Sequence, residues 1–161
     1  MKQNLEKELN SAVADLEKRR QQARQAENQE AEREHQITKK SEDALQVIAL
    51  PALQEVAKSL RKQNISSEVT GPDLRSMTAT MGIGPTLQFS FRTTPETFSG
   101  RPNGEVAFCG DANGRIVYLR EGPPSNSNWE VIDSIAVEAL TSEWIQERTV
   151  DAVVRALKRL P

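Results

Sequence analysis

Few residues of the 161-residue chain have the type and spacing that metal binding or nucleophilic catalysis requires. His35 is the single histidine, and neither the pair Glu32–Gln36 nor the pair Glu34–His35 makes a metal-ligand pair on one helical face. Cys109 is the single cysteine, which excludes an internal disulfide and a cysteine-based zinc site. We therefore expect no metal, no cofactor and no Ser-His-Asp or Cys-His hydrolase chemistry.

Two loop segments bear a superficial likeness to ligand-binding motifs. Residues 111–114 (Asp-Ala-Asn-Gly) begin like a calcium loop, but an EF-hand needs Gly sixth and Glu twelfth. Here Gly is fourth and Gly122 stands twelfth. Residues 82–85 (Gly-Ile-Gly-Pro) precede a predicted strand, whereas a phosphate cradle precedes a helix and usually carries a Lys. The first segment is interpreted as a hairpin turn and the second as a loop.

Carboxylates and basic residues provide two alternative functions. Acid–base catalysis uses paired carboxylates, and Asp111, Asp133 and Glu138 show no paired spacing. A small carboxylate-based enzyme is therefore the lesser alternative to a non-enzymatic protein.

The basic side chains of the N-terminal region provide the other alternative, a nucleic-acid-associated accessory subunit. They are Lys18, Arg19, Arg20, Arg24, Lys39 and Lys40. Acidic residues interrupt this set, and DNA-reading basic helices carry a denser array of cations.

Composition divides the chain near residue 64. Hydrophobic residues make up only 37 % of the chain, which is low for a globular domain, while the net charge is only −2. All eight glycines and all seven aromatic residues lie after residue 64. No apolar run is long enough for a membrane span, and the first ten residues lack an apolar signal core. We expect a cytoplasmic protein with no membrane association.

The first half is predicted to be a long helix with a coiled-coil-like seam. It is rich in Ala, Leu, Glu, Gln, Lys and Arg and lacks Gly. Apolar residues recur at alternating spacings of four and three, as in a heptad repeat. The seam, as we call this series, comprises Leu5, Leu9, Ala12 (or Val13), Leu16, Ala23, Ala26 and Ile37.

The seam weakens in its middle, because the same spacing also reaches Arg19, Glu30 and Arg33. Pairs of opposite charge four residues apart each contribute only a few tenths of a kcal/mol. Such a helix needs a partner for most of its stability. A helical hairpin that turns between residues 26 and 36 is the structural alternative, although no Gly- or Pro-rich break marks a turn there.

From residue 45 the pattern changes to that of a small globular domain. Leu45, Ile48 or Ala49, Leu53, Val56 and Leu60 form a stripe that crosses Pro51, which predicts one kinked helix. Strands are predicted at 65–70, 86–92, 105–109, 115–120 and 129–132, with a short extended stretch at 135–137. Residues 73–85 and 122–128 are predicted loops.

The strand pattern also predicts which side chains face the core. Phe89, Phe91 and Phe108 point inward. The opposite face, which is predicted to be solvated, carries Gln88, Ser90, Arg92, Glu105, Ala107 and Cys109. A closing helix capped by Thr141 or Ser142 is predicted to bury Trp144, Val150, Val153, Leu157 and Leu160.

These elements predict an α+β protein: a long N-terminal helix, a small antiparallel β-meander packed against helices, and a C-terminal helix. The predicted division is a polar helical stalk at 1–44 and a globular domain at 45–161. The leading functional hypothesis is a non-enzymatic interaction module or accessory subunit. It would self-associate as a homo-oligomer, or dock onto another protein, through the N-terminal helix.

Overall fold

A computed structural model of the chain describes residues 2–92, 103–121 and 129–159. The loop predicted at 122–128 and the predicted core residue Leu160 lie outside these described residues. The chain divides into two compact units between Gln36 and Ile37. The first unit is helical, and the second contains the sheet, two further α-helices, two short helical turns and the end of the first helix.

Helix α1 runs without interruption over Lys2–Ala44, 43 residues. Its sequence is made almost wholly of good helix formers, and it contains neither Gly nor Pro, so nothing in it ends the helix early. The hairpin alternative at 26–36 is therefore wrong. The prediction of a long N-terminal helix is confirmed.

A π-helical turn, Leu45–Ala49, joins α1 to helix α2, Leu50–Lys62. Pro51 has no N–H to donate to the carbonyl of Val47, so an α-helix through this point would lose a bond. At the turn, the N–H of Leu50 bonds to the carbonyl of Leu45, one residue further back than in an α-helix. The helical path thus passes the proline, and Leu45, Ala49, Leu53, Val56 and Leu60 are all buried, as the stripe predicts.

The sheet is a five-stranded antiparallel meander in the order β1-β2-β3-β4-β5. Its strands are β1 (Ser66–Arg75), β2 (Gly84–Arg92), β3 (Gly104–Gly110), β4 (Arg115–Glu121) and β5 (Trp129–Ala136). A short 3₁₀ turn, Val137–Ala139, leads to helix α3, Ser142–Lys158. The predicted α+β class and strand order are confirmed.

The turn between β3 and β4 is held by Asp111. Its carboxylate Oδ1 accepts hydrogen bonds from the backbone N–H of Asn113 (2.9 Å) and of Arg115 (2.8 Å). Gly114 has φ of 73°, a left-handed conformation that a residue with a side chain rarely adopts. The predicted hairpin is confirmed, and the Asp111 oxygen is used by the turn itself.

The strands are one to four residues longer than predicted, and the two edge strands gain the most. β1 does not end at Gly71-Pro72 but continues to Arg75, with a register shift between Thr70 and Asp73. β1 is an edge strand, where a proline without an N–H interrupts no ladder on its outer side. On the opposite edge, β5 joins the two predicted stretches 129–132 and 135–137 into one strand that ends at Ala136.

The main core lies between one face of the sheet and the helices. Helix α2 contacts α3 and β1, α3 contacts β3, and the π turn contacts β2. Phe89, Phe91 and Phe108 are buried there as predicted. The Phe108 ring stacks on Tyr118 at 5.4 Å between centroids and meets the edge of Trp144 at 6.0 Å. Aromatic packing therefore ties β3 to both β4 and α3.

Helix α3 buries the predicted core residue Val153 and part of Trp144, but its other buried residues differ from those predicted. Thr141 caps it by accepting a hydrogen bond from the N–H of Trp144, as expected. Its buried residues are Ile145, Thr149, Ala152 and Val153, whereas the predicted core residues Val150 and Leu157 are exposed. The hydroxyl of Thr149 donates to the carbonyl of Ile145 at 2.8 Å, which satisfies this buried polar group within the helix.

The end of α1 lies very close to the end of β3. Ser41 is buried, and its hydroxyl has no hydrogen-bond partner among the described residues. A Cβ atom added to Gly110 would lie 2.5 Å from the Ser41 Cβ and 2.9 Å from its Oγ. Only a glycine on the strand and a small residue on the helix permit this approach.

Replacing Gly110 by Ala is therefore expected to lower the free energy of unfolding by about 1–3 kcal/mol through overpacking. Urea unfolding monitored by tryptophan fluorescence measures this change. Gly82→Ala is the matched control, because a Cβ at Gly82 meets nothing within 4 Å. Equal stabilities of the two variants would contradict the close approach.

Candidate interaction surfaces

The first surface is the N-terminal part of the seam, which presents large apolar side chains to solvent. Leu5, Leu9, Val13 and Leu16 are 63 %, 64 %, 47 % and 44 % exposed. Every described residue from 2 to 36 is exposed. The helical spacing of these four side chains places them along one side of α1. This part of the helix therefore has an apolar stripe and buries none of it within the described chain.

The remaining seam residues differ in their surroundings. Ala12, Ala23 and Ala26 are exposed. Ile37 is partly buried, and its Cγ2 lies 4.0 Å from where a Cβ on Gly114 would stand. The stripe is thus available along residues 5–36, while Ile37 already packs within the second unit.

The basic residues of the N-terminal region are exposed but do not form one patch. Consecutive residues of an α-helix point about 100° apart, so Lys18, Arg19 and Arg20 are spread around α1. Lys40 forms an ion pair with Glu138, and this hydrogen bond holds the pKa of the Glu138 carboxyl below its ordinary value. Lys40 is thus engaged in joining α1 to the segment between β5 and α3.

The second surface is the sheet face opposite the main core, which is not simply solvated as predicted. Ala107 and Cys109 do lie on this face, but both are buried. They pack with Val117 and Leu119 of β4 in a second apolar cluster. We call this group the rear cluster; partly buried Met77, Met81 and Trp129 pack against it.

The segment after β1 brings the two methionines to the rear cluster. The hydroxyl of Ser76 donates to the carbonyl of Met81 at 3.2 Å. The N–H of Met81 donates to Oγ1 of Thr78 at 3.1 Å. These bonds fold the segment 76–81 back on itself. The predicted loop is therefore an ordered cover for part of the rear face.

Cys109 is a packed thiol within the rear cluster. The Thr86 hydroxyl donates to its Sγ at 3.2 Å. Burial raises the pKa of the Cys109 thiol above its ordinary value of about 9. A thiol that is buried and protonated is a poor nucleophile.

A third cluster, not found from the sequence, joins β5 to α3 through Arg148. Its guanidinium donates to Oδ2 of Asp133 from Nε at 3.0 Å and from Nη2 at 2.6 Å. It also lies over the Trp144 ring, with Cζ 4.0 Å from the ring centroid. The Tyr118 hydroxyl donates to the Arg148 carbonyl at 3.3 Å. One side chain thus bonds an edge strand, stacks on an aromatic ring and belongs to the closing helix.

Two smaller apolar areas are also exposed in the second unit. Val131 and Ile132 lie on the edge strand β5, where the ladder with β4 has a bulge. Val150, Val154 and Leu157 are exposed on α3 at helical spacing. Both areas are smaller than the stripe of α1.

The remaining candidate residues are not brought together. His35 is exposed on α1. Asp111 holds the hairpin turn, Asp133 binds Arg148, and Glu138 pairs with Lys40. Within the described ranges no three His, Cys, Asp or Glu side chains gather as metal ligands would. Each carboxylate of the enzyme alternative therefore has a separate structural contact.

Comparison with known proteins identifies no relative of this chain. The chain matches no known protein family, no curated protein and no solved structure. Among the described residues, no helix combines the length and apolarity needed to cross a membrane. The surfaces of the chain itself are therefore the basis for its proposed function.

The environment of Cys109 predicts low reactivity in the folded chain. We expect a thiol-specific reagent to modify Cys109 at least about 100-fold more slowly in native protein than in urea, because access requires opening of the cluster. The time course of the colour released by an aromatic disulfide reagent measures this ratio. Comparable rates in both conditions would show that the rear cluster is open.

The Arg148 cluster predicts a pH-dependent contribution to stability. Hydrogen bonds from Arg148, followed by the backbone N–H of Ser134, hold the pKa of Asp133 below its ordinary value of about 3.8. A lowered pKa stabilises the fold above the unfolded-state pKa, and this stabilisation is lost as pH falls through the folded-state pKa. Asp133→Asn is expected to lower the free energy of unfolding at pH 7 by up to about 1 kcal/mol, since solvent screens the pair.

Urea titrations at pH 7 and at successively lower pH measure this difference, which should narrow as the pH falls below about 4. Arg148→Gln should have the same sign and a larger effect, because it also removes the contact with Trp144. Arg155→Gln is the matched control, since Arg155 forms an exposed pair with Asp151 on the same helix. A difference that does not change with pH would contradict a role for the Asp133 charge.

Proposed function

We propose that the protein is a non-enzymatic interaction module that self-associates through the N-terminal segment of α1, or docks onto another protein through it. The observation that carries the proposal is the exposure of every residue from 2 to 36 in a continuous helix. Leu5, Leu9, Val13 and Leu16 form an unpartnered apolar stripe along this segment.

Helix energetics supports the need for a partner. Formation of the first helical turn is unfavourable, and isolated helices in water have marginal stability even with good helix formers. Charge pairs on the surface add only tenths of a kcal/mol each. Burial of a single leucine contributes about 1.5–3 kcal/mol. Contact between the stripe and an apolar surface is therefore the strongest stabilising interaction open to this segment.

The dispersed basic residues support this proposal over the nucleic-acid alternative. A phosphate-binding helix gathers cations on the side that follows the backbone of the nucleic acid. In α1, by contrast, Lys18 and Arg20 point to nearly opposite sides, and Lys40 pairs with Glu138. The apolar stripe has the helical spacing of an interface, and the cations do not.

The double variant Leu9→Ser/Leu16→Ser tests the proposal. We expect sedimentation velocity to show an associated state for the natural chain and a shift of at least about tenfold in its dissociation constant for the variant. The helical signal at 222 nm should fall in parallel, because unpaired N-terminal segments lose helix. The far-ultraviolet signal of the sheet should be retained.

The matched control is Ala14→Ser/Ala31→Ser, which lowers helix propensity by a similar amount outside the seam. This control should associate like the natural chain. A natural chain that sediments as a monomer at all concentrations and keeps its full helical signal would contradict the proposal. Salt-sensitive binding to DNA or RNA by the Leu9→Ser/Leu16→Ser variant would instead favour the nucleic-acid function.

A further inference from the structure

Three charged residues occupy core positions of the seam. Because α1 is a continuous α-helix, the heptad phase set by Leu5, Leu9 and Leu16 carries on through the segment. This phase places Arg19, Glu30 and Arg33 at positions that face a partner helix. All three side chains are exposed. The partner surface must therefore accept two cations and one anion in fixed places.

A parallel, in-register pair of copies does not accept them. In that arrangement each core residue faces its own counterpart, so Arg19 meets Arg19, Glu30 meets Glu30 and Arg33 meets Arg33. Like charges placed opposite each other at an interface are strongly unfavourable. The apolar layers of a parallel pair would run from Leu5 to Leu16 and resume at Ala23 and Ala26, with like charges in the layers between and after them.

Antiparallel pairing matches opposite charges in the core in two registers, Arg19 with Glu30 or Glu30 with Arg33. The second register also places Glu27 beside Glu34, and like charges there make it the less favourable of the two. When Arg19 of one copy faces Glu30 of the other, the central layers set Ala23 against Ala26. The same register sets Leu16 against Arg33, whose aliphatic stem can cover an apolar side chain. The two-fold symmetry makes each of these contacts occur twice.

Residues that flank the core select the same register. In this arrangement Arg20 of one copy lies beside Glu27 of the other. A shift by one heptad in one direction brings Arg20 beside its own counterpart. A shift in the other direction brings Glu27 beside its own counterpart. Neighbouring registers therefore place like charges together, and the first register places opposite charges together.

We infer that the middle of α1, residues 16–33, pairs with the same segment of a second copy of this chain, antiparallel to the first, in the register that sets Arg19 against Glu30. The inference rests on the proposed self-association and specifies its partner and direction. The charge pattern carries it, because one sequence supplies both the cation and the anion at matching distances from the centre of the pair.

A charge exchange tests this pairing in the full chain. Arg19→Glu and Glu30→Arg each place like charges together in two layers, so each should raise the dissociation constant of the dimer about tenfold or more. The double variant Arg19→Glu/Glu30→Arg should restore the original constant. Within one helix the two residues lie about 16 Å apart, so rescue within a single chain is excluded. Sedimentation equilibrium measures all three constants.

Two controls make the outcome specific. Arg24→Glu and Glu32→Arg change the charge equally but lie outside the seam, so both should associate normally. Ala12→Cys should not form an interchain disulfide, because antiparallel pairing puts the two copies of residue 12 about 37 Å apart. In a parallel pair they would be adjacent and would form the bond under oxidising conditions. A circular dichroism spectrum of each variant confirms that the second unit is folded.

Each outcome bears on one claim. Loss of association in both single variants with recovery in the double variant supports the antiparallel register. A dimer in which the double variant does not recover, or in which Ala12→Cys forms a disulfide, overturns the antiparallel register and leaves self-association standing. A natural chain that is monomeric at every concentration overturns both.

Discussion

Burial of apolar surface is the constraint on which this structure depends, because a helix in water gains little stability from its backbone alone. The second unit meets the constraint with a buried core. The apolar side chains of the π turn and of α2 pack in one core with Phe89, Phe91 and Phe108 of the sheet. The first unit does not meet it, since no residue from 2 to 36 is buried. One chain therefore contains a unit with a buried core and a helical segment whose apolar side chains are exposed.

The meander in the second unit is apolar on both faces at its centre. In β3, Val106 and Phe108 face the helices, while Ala107 and Cys109 face the rear cluster. Small side chains on the rear face let the methionine-bearing segment 76–81 lie close to the sheet. Arg148 then fastens the edge strand β5 to the closing helix by two hydrogen bonds to Asp133. Contacts within the second unit therefore hold both faces and one edge of the sheet in place.

The sequence was sufficient for the fold class because its strongest signals are periodic. The stripe at 45–60 and the alternation at 86–92 each bury the residues they predict. The Asp111–Gly114 turn could also be predicted from the sequence. An Asp side chain accepts the hydrogen bonds of such a turn, and Gly readily adopts its left-handed conformation. The passage through Pro51 depended on a π turn, which the pattern alone does not distinguish from a kink.

The rest could not be predicted, since it depends on tertiary contacts. Helix α3 has apolar residues on two sides, so the sequence does not show which side is buried. The buried side includes Thr149, because its hydroxyl donates to the Ile145 carbonyl within the helix. Strand β1 can continue past Pro72 because it lies at the edge of the sheet, where a missing N–H interrupts no ladder on the outer side. The Arg148 cluster joins residues that the sequence places on separate elements. In the candidate interface, the sequence predicted the apolar series Leu5, Leu9, Val13 and Leu16, and the structure showed that these side chains are exposed.

The most direct measurement is amide hydrogen exchange of residues 2–36 as a function of protein concentration, with α2 in the same molecule as internal reference. The account predicts that protection of 2–36 rises with concentration while protection of Leu50–Lys62 stays constant, because only the first segment depends on a second copy. Protection of 2–36 that equals that of α2 at every concentration would show that the segment is stable alone, and would contradict the account.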